Sequence, residues 1–336
     1  VSDLHLSAAA RPFMRKDREN HYLSKSPLAP EASRRLNTIL LNSQQIEFLD
    51  LEKDYDFAMP FSTGERFRVN LMFHKDGMAG TYRIVPTQIK SLEALGFANA
   101  AAIKKLLSYH NGLILVTGPV GSGKTATLAS LVHEINQSRE DHVISVEEPI
   151  EIVQASNKCS ITQRGVGAHT NSFHSALKGA LRQDPDIIVI GEMRDLETVE
   201  MAISASETGH LVMGTMHTSD AATTLNRLLD VFPPAQQAQI RAMVAESLRG
   251  IICQRLLPGK AGGLVLASEL LLRNTAVSSL IREGKTQGLD NVMETGKRAG
   301  MIQMDGSVLE LYRAGKITAA VARENIKNET IRVQVT

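Results

Sequence analysis

Gly118-Pro-Val-Gly-Ser-Gly-Lys-Thr125 fits the phosphate-binding pattern G-x-x-x-x-G-K-[ST] at every fixed position. An apolar, β-rich run at 113–117 precedes it, and residues 126–135 carry apolar side chains at helical spacing. This order of strand, glycine-rich turn and helix lets backbone N–H groups curl around a phosphate at the N-terminus of the helix. The stretch therefore predicts a nucleotide-binding loop in an α/β fold, and a purely structural turn is the less favoured interpretation.

Two side chains of the loop have predicted roles in binding the phosphates of a nucleotide and its metal ion. Lys124 is predicted to reach the β- and γ-phosphates, and the Thr125 hydroxyl is predicted to bind Mg²⁺. We therefore expect ATP or ADP, together with Mg²⁺, as the cofactors. The residues predicted to bind the nucleotide here are Gly118, Pro119, Val120, Gly121, Ser122, Gly123, Lys124, Thr125 and Ala126.

Two acidic segments follow the loop at the ends of predicted strands, where ligands of open α/β sheets bind. In the first segment a carboxylate is expected to polarise the water that attacks the γ-phosphate, and Glu147, Glu148 and Glu151 all remain candidates. In the second segment Glu192 follows an apolar strand, as in the Walker B arrangement. Glu192 is therefore predicted to hold Mg²⁺ through its water shell.

Two histidines, His210 and His217, flank a further apolar strand. A histidine at a strand end is often structural. His217 is followed by Thr218 and Ser219, and its ring is predicted to sense the γ-phosphate by hydrogen bonding.

Residues 1–85 predict a small mixed domain with a strand at 2–7, a loop at 7–30 and a helix at 31–48. Alternating apolar residues at 67–73, a turn at Lys75-Asp-Gly77 and a return strand at 81–85 predict a β-hairpin. Tyr82 and Ile84 are expected to point inward. Three arginines are expected on the other face, either as an ordinary solvated surface or as cations offered to a neighbouring subunit's nucleotide; they are Arg66, Arg68 and Arg83.

Residues 86–90 are predicted to link this domain to a second one at 91–336, with a helix beginning at Ser91. The second domain alternates strands with helices, which predicts a doubly wound, mainly parallel sheet. Strands are expected at 142–146, 186–191 and 210–216, a helix at 237–252 and a loop at 259–263, and the region from about 259 to 336 is expected to be helical.

The composition narrows the possible partners. Nucleic acid is not an expected partner, because the net charge is only +1, Trp is absent and the aromatic content is 4%. The only two cysteines, Cys159 and Cys253, are expected to be buried, and they exclude a four-cysteine zinc site within one chain. Apolar runs are too short to span a bilayer and no secretory signal is visible, so a cytoplasmic location is expected.

Leu181-Arg-Gln-Asp-Pro-Asp-Ile-Ile-Val-Ile-Gly-Glu-Met-Arg-Asp195 resembles the signature of the type II/IV secretion-system ATPases. These are hexameric motors of pilus assembly, pilus retraction and protein secretion, and the resemblance extends from Ser2 to about Gly306. It implies a PAS-like N-terminal domain joined to a RecA-like P-loop ATPase domain.

The resemblance also implies roles for individual residues. The family's catalytic glutamate falls on Glu151 and its Walker B glutamate on Glu192. Its histidine box covers 208–218, with His210 and His217 in register. Its intersubunit arginines fall on Arg66, Arg68 and Arg83.

Within the family, the chain is most similar to the motors that retract pili. Two cysteines cannot build the four-cysteine zinc module that is common in extension and secretion motors. Ala276-Val-Ser-Ser-Leu-Ile-Arg-Glu283 matches the second half of the retraction motors' Ala-Ile-Arg-Asn-Leu-Ile-Arg-Glu element but lacks its Arg-Asn pair.

The resemblance thus implies a Mg²⁺-dependent ATPase that works as a homohexamer at the cytoplasmic face of the inner membrane. It is expected to act on a pilus platform protein, with a paralogous pilus ATPase as a further candidate partner. It is expected to power type IV pilus retraction and twitching motility by pilus disassembly. The alternatives are a retraction paralogue or an accessory nucleotide-binding ring. An extension or secretion ATPase and a nucleic-acid translocase are less favoured.

Overall fold

The computed structural model describes residues 3–16, 19–61 and 65–336, and the chain divides into two compact units. The first unit runs to Gln88 and also contains Glu148–Val153; the second contains Ile89–Glu147 and Gln154–Thr336. The break after Gln88 lies inside the predicted linker. The sequence-based boundaries assigned Glu148–Val153 to the ATPase domain instead.

Within its described residues, the first unit is an antiparallel sheet of six strands in the order β3-β2-β1-β6-β5-β4, with two helices. The strands are β1 (Asp3–Ser7), β2 (Phe13–Lys16), β3 (Glu19–Tyr22), β4 (Asp54–Pro60), β5 (Arg66–His74) and β6 (Gly77–Val85), and the helices are α1 (Pro30–Thr38) and α2 (Ser43–Glu52). Its buried core is formed by Leu49, Val69, Leu71 and Met78.

The predicted hairpin is formed by β5 and β6, which pair in antiparallel register. Arg68 lies directly opposite Arg83, and Arg66 lies two residues further along β5, so the three arginines share one face of the sheet as expected. Tyr82 packs against the core, but Ile84 is 41% exposed. The alternation of β6 does put Ile84 on the face of Tyr82, opposite Phe67, but its side chain is only partly covered there.

Two predictions for this unit were wrong. The segment 7–30 contains β2 and β3, whose side chains are mostly exposed and so lack the alternation that marks a half-buried strand. The single helix expected at 31–48 is two helices. Asn42 begins the second one with a capping box, in which its side chain accepts a hydrogen bond from the Gln45 backbone and its own N–H donates to the Gln45 side chain.

The second unit contains a sheet of seven strands, among the residues that the structure covers, in the order β13-β12-β7-β11-β10-β8-β9. Its pairs are parallel except for β12 with β13. The strands are β7 (Gly112–Thr117), β8 (His142–Glu147), β9 (Ser160–Gly165), β10 (Ile187–Ile190), β11 (Leu211–Met216), β12 (Leu248–Pro258) and β13 (Leu264–Leu272).

Helices cover both faces of this sheet. They are α3 (Leu92–Leu95), α4 (Ala100–Leu106), α5 (Lys124–Ser138), α6 (Phe173–Ala180), α7 (Leu196–Glu207), α8 (Ala221–Asp230), α9 (Pro234–Ser247), α10 (Thr275–Glu283), α11 (Leu289–Thr295), α12 (Met304–Arg313), α13 (Ala319–Asn325) and α14 (Glu329–Arg332), with 3-10 turns at Thr286–Gly288 and Gly296–Ala299. In β7, Leu113 and Leu115 join one core cluster and Ile114 and Val116 the other. The doubly wound, mainly parallel sheet is therefore confirmed.

The strands expected at 142–146, 186–191 and 210–216 are present, and Ser91 caps α3 as expected. The helix expected at 237–252 was wrong at its end, because α9 stops at Ser247 and the chain enters β12 to pair with β7. The region after 259 is helical except for β13, which the sequence-based assignment missed. Across 3–16, 19–61 and 65–336, the structure has no helix both long and apolar enough to cross a membrane.

Candidate functional site

The glycine-rich loop joins the buried strand β7 to helix α5, which begins at Lys124. Gly123 occupies the N-cap position with a φ of 88°, a left-handed conformation that favours glycine. Thr125 lies exposed in the first turn of the helix. The predicted order of strand, turn and helix is confirmed, and the first N–H groups of α5 are oriented as an anion site requires.

Lys124 folds back over the loop. Its Nζ donates to the carbonyl oxygens of Gly118 at 2.9 Å and Pro119 at 3.1 Å, and it lies 3.2 Å from Nδ1 of His217. The side chain is 9% exposed, and this burial lowers the pKa of Lys124. A partly desolvated ammonium with only carbonyl and imidazole partners is well suited to exchange them for phosphate oxygens.

His217 connects Lys124 to Glu192. Nε2 of His217 lies 2.9 Å from Oε1 of Glu192. Because a lysine ammonium can only donate, Nδ1 of His217 accepts from Lys124 and the Nε2–H donates to Glu192, which assigns a neutral imidazole. Two strand ends that the sequence predicted separately thus meet the phosphate loop in one hydrogen-bonded chain.

Glu192 is held by its neighbours as well as by His217. Nε of Arg194 lies 2.5 Å from the same Oε1. Burial alone would raise the pKa of Glu192, but the hydrogen bond and charge of Arg194, together with the hydrogen bond from His217, outweigh burial and lower it. The second acidic residue of this segment, Asp195, caps α7 by accepting from the Thr198 N–H at 2.8 Å. Glu192 is therefore the carboxylate of this strand end that is directed at the loop residues.

The oxygen donors of this site suit Mg²⁺. Thr125 offers a hydroxyl in the first turn of α5, and Glu192 offers an ionised carboxylate. Hydroxyl and carboxylate oxygens are the ligands that Mg²⁺ prefers, usually with several waters retained. The residues present therefore fit the predicted ion.

Gln254 on β12 is a further contributor that sequence reasoning missed. It is 2% exposed, and its Nε2 donates to the backbone oxygen of Ser122 at 2.7 Å. The pairing of β12 with β7 reaches Cys253 and Thr117, so Gln254 lies beside the start of the loop. The available signal was a single amide side chain within an apolar run, since a buried polar group must find a partner.

Glu151 lies in the first unit with two of the predicted arginines. Its Oε1 is 2.8 Å from Nη1 of Arg68, whose Nη2 is 2.7 Å from Oδ2 of Asp56. The pKa of Arg68 is raised, chiefly by its hydrogen bond with Asp56. Arg66 donates to the backbone oxygens of Ile150 at 3.4 Å and Glu151 at 3.3 Å.

The third arginine, Arg83, is engaged elsewhere in the same unit. Its Nε lies 2.7 Å from Oδ1 of Asp3.

The other two glutamates of the acidic segment have different surroundings from Glu151. Glu147 accepts hydrogen bonds on Oε1 from Ser145 at 2.7 Å and Gln163 at 3.0 Å, and Glu148 is exposed.

His210 does not join the hydrogen-bonded chain of Lys124, His217 and Glu192. It precedes β11, whereas His217 follows it, and six strand residues span roughly 20 Å. Its Nδ1 lies 3.1 Å from the backbone oxygen of Ala205. The structure therefore does not bring His210 to the phosphate loop.

The segment that departs from the retraction element forms α10. Ser278 is buried, and its hydroxyl donates to the Ala245 backbone oxygen at 2.8 Å; it also accepts from Nε of Arg273 at 3.3 Å. The Ser279 hydroxyl donates to Glu283 at 2.8 Å. Ser278 thus ties α10 to α9, whereas Ser279 makes a contact within α10.

Comparison with known proteins extends over nearly the whole chain. Residues 2–332 match the family described as Type II/IV secretion system protein. The type IV pilus retractation ATPase PilT of Pseudomonas aeruginosa is 40% identical over 97% of this chain and 94% of that protein. A twitching motility protein of Neisseria gonorrhoeae is 39% identical over 96% of this chain and 86% of that protein.

A solved structure gives the same result for the fold. The crystal structure of the pilus retraction motor PilT with bound ADP superimposes with a TM-score of 0.89 and 42% identity. The alignment covers 98% of this chain and 94% of that one.

Proposed function

This chain belongs to the type II/IV secretion system protein family, and on that premise we propose that it is an ATP-hydrolysing motor that powers type IV pilus retraction. It works as a homohexamer at the cytoplasmic face of the inner membrane and passes its motion to a pilus platform protein. The near-full-length similarity to a pilus retraction ATPase and to a twitching motility protein supports this assignment.

The observation that carries the ATPase activity is the hydrogen-bonded chain Lys124–His217–Glu192 at the mouth of the phosphate loop. When ATP binds, the Lys124 ammonium leaves the carbonyls of Gly118 and Pro119 for β- and γ-phosphate oxygens. His217 loses its lysine partner, and its Nδ1, an acceptor in this tautomer, can then sense the γ-phosphate through a bridging water that donates to both.

Thr125 and Glu192 would hold Mg²⁺, which would supply positive charge to offset that of the phosphates. Glu151 polarises the attacking water and accepts its proton. Oε1 of Glu151 can take that role only after it leaves Arg68, because a carboxylate oxygen engaged by a guanidinium is a poorer proton acceptor.

The proposal is tested in cells that lack this gene. Surface pili are counted by electron microscopy and twitching is measured on agar, with complementation by the wild-type gene and by Lys124→Ala. We expect more pili than in the parent strain and no twitching, reversed by the wild-type gene alone. Bald cells would assign the motor to pilus extension, and an unchanged pilus number would refute the retraction role.

The second candidate is a retraction paralogue or an accessory ring that binds nucleotide without hydrolysing it. The observation in its favour is the Ser278-Ser279 departure from the retraction element. Steady-state ATPase measurements on the purified protein separate the two. Turnover that disappears in Lys124→Ala favours the motor, nucleotide binding without turnover favours the accessory ring, and stimulation by DNA would favour a translocase.

A further inference from the structure

Glu269 is a buried carboxylate on β13 that the proposed chemistry does not use. It is 4% exposed and lies directly opposite Cys253 in the register of β12 and β13. Burial raises the pKa of Glu269 against the opposing effect of two backbone hydrogen bonds. A buried ionisable group is costly unless its polar partners are fixed, so the identity of those partners indicates its role.

The two oxygens of Glu269 serve two different helices. Oε1 accepts from the N–H of Ala221, the first residue of α8, at 2.7 Å. Oε2 accepts from the N–H of Met304, the first residue of α12, at 3.1 Å. The first N–H groups of a helix have no partner within it, and the helix dipole favours a negative charge there. One carboxylate therefore joins the starts of α8 and α12.

Neither helix start can replace this contact from its own N-cap. Asp220 caps α8 by accepting from the Thr223 N–H at 2.8 Å, which leaves the Ala221 N–H to Glu269. Gln303, at the N-cap of α12, makes no side-chain capping hydrogen bond. Glu269 is thus the side chain that fixes Ala221 and Met304.

The start of α8 is also the end of the loop that carries His217. Only three residues, 218–220, separate His217 from Ala221. Within them the Thr218 hydroxyl lies 2.7 Å from the Thr224 hydroxyl, which in turn lies 3.5 Å from that of Thr117 at the end of β7. Fixing the first turn of α8 therefore fixes the loop on which His217 stands.

We infer that Glu269 is a positioning residue that holds His217 in register with Lys124 and Glu192 by joining the first turns of α8 and α12. The inference rests on the proposed ATPase function for its catalytic consequence. Its structural part, that the 217–224 segment depends on Glu269, stands independently of turnover. The same side chain also connects α12 to the start of α8, which directly follows the loop that carries His217.

The test uses Glu269→Gln, which keeps the shape of the side chain. The amide can accept from one helix, but its NH₂ group faces the N–H of the other, so one of the two hydrogen bonds is lost. We expect kcat to fall by roughly 10-fold, because hydrogen bonds to charged groups are of that strength. The affinity for a fluorescent ADP analogue should stay within about twofold, since no contact of the phosphate loop is changed.

A double-mutant cycle with His217→Ala separates positioning from general damage. If Glu269 acts through His217, Glu269→Gln should cost less than about twofold in the His217→Ala background. An equal loss in both backgrounds, or no loss in the wild-type background, would overturn the inference. Glu246→Gln is the matched control, because it removes an exposed carboxylate of the same unit that contacts Arg273 at 3.1 Å and should leave turnover unchanged.

Hydrogen exchange measured by mass spectrometry gives a readout that does not require turnover. The peptide 217–224 should exchange faster in Glu269→Gln than in wild type or Glu246→Gln, and unchanged exchange would refute the inference even if the chain proved not to be an ATPase. Circular dichroism checks folding. Should Glu269→Gln fail to fold, Glu269→Asp keeps the charge but, being one methylene shorter, can reach one helix start only, and the same exchange is expected.

Discussion

Gly118→Ala perturbs the phosphate loop at the point where it leaves β7. An added Cβ would lie 2.3 Å from the backbone oxygen of Gln254 and 2.5 Å from Oγ of Ser122. Real Cβ atoms essentially never approach a neighbour closer than 3.0 Å, so the loop must retreat from β12 by the difference of 0.7 Å. The φ of 151° also disfavours any side chain, at a cost of about 1–3 kcal/mol.

A displacement of this size matters because the loop binds phosphate through the directions of its N–H groups. Misplacing a binding group by about 1 Å can cost up to about 100-fold. We therefore expect nucleotide affinity to fall by about 10- to 100-fold in Gly118→Ala. The hydrogen bond from Gln254 Nε2 to the Ser122 backbone oxygen should weaken at the same time, since the new methyl group meets other atoms of the same two residues and displaces both.

Affinity is measured by titration with a fluorescent ADP analogue, and stability by thermal unfolding. Gly167→Ala is the matched control. Gly167 has a φ of 81°, but an added Cβ there would meet nothing within 4 Å. It should lose about 1 kcal/mol of stability and no affinity. Wild-type affinity in Gly118→Ala, or an equal loss of affinity in Gly167→Ala, would refute the idea that the close approach of Gly118 to Gln254 and Ser122 determines the shape of the phosphate loop.

Three further predictions concern the first unit. Glu151→Gln should retain nucleotide binding and lower kcat by about 10²–10⁴, whereas the exposed neighbour variant Glu148→Gln should retain turnover; the reverse ranking would identify Glu148 as the base. Replacing an arginine that acts on a neighbouring subunit's nucleotide by Ala should lower kcat by roughly 10³-fold. If Arg66→Ala, Arg68→Ala and Arg83→Ala all keep the wild-type kcat, the arginine face is an ordinary solvated surface. Burial raises the pKa of Tyr82 to about 12, above its ordinary value near 10. The folded state therefore keeps this proton longer than the unfolded state, so stability should fall between about pH 10 and pH 12, and Tyr82→Phe should lack the phenolate absorbance step near pH 12.

Sequence patterns predicted the structure correctly where an element is formed by residues that are neighbours in the chain. The loop at 118–125 lies between a strand and a helix that adjoin it in sequence, and each has a clear periodicity. The strand ends at Glu192 and His217 could be placed because carboxyl ends of parallel strands meet at one edge. Their mutual hydrogen bond could not be predicted, since it depends on β10 and β11 being neighbours in the sheet.

The sequence-based assignments failed where a partner lies far along the chain. Residues 248–252 continue the apolar pattern of α9, but they become a strand because β7, more than 100 residues earlier, offers its free edge. Gln254 and Glu269 gain their roles from the same long-range pairing. Glu148–Val153 belongs to the first unit, where Arg66 donates to its backbone and Arg68 pairs with the Glu151 carboxylate, and these partners too lie far along the chain.

The Arg68–Glu151 ion pair bears directly on the roles predicted for its two members. The N–H of Arg68 that engages Glu151 is not available to a neighbour's phosphate, and Oε1 of Glu151 is a poorer base while Arg68 holds it. The pair must therefore open during turnover if these two atoms are the ones that act. The side chains are 35% and 22% exposed, and such partly exposed pairs contribute about 0–1 kcal/mol.

Opening is easier still because Arg68 keeps Asp56 as a partner at 2.7 Å when Glu151 leaves. Removing the cis ion pair should therefore change kcat by no more than about fivefold, since 1 kcal/mol corresponds to about that factor. An intersubunit role predicts a loss of roughly 10³, which corresponds to about 4 kcal/mol. The two magnitudes do not overlap, so kcat of Arg68→Ala distinguishes an arginine that restrains its own glutamate from one that stabilises a neighbour's transition state.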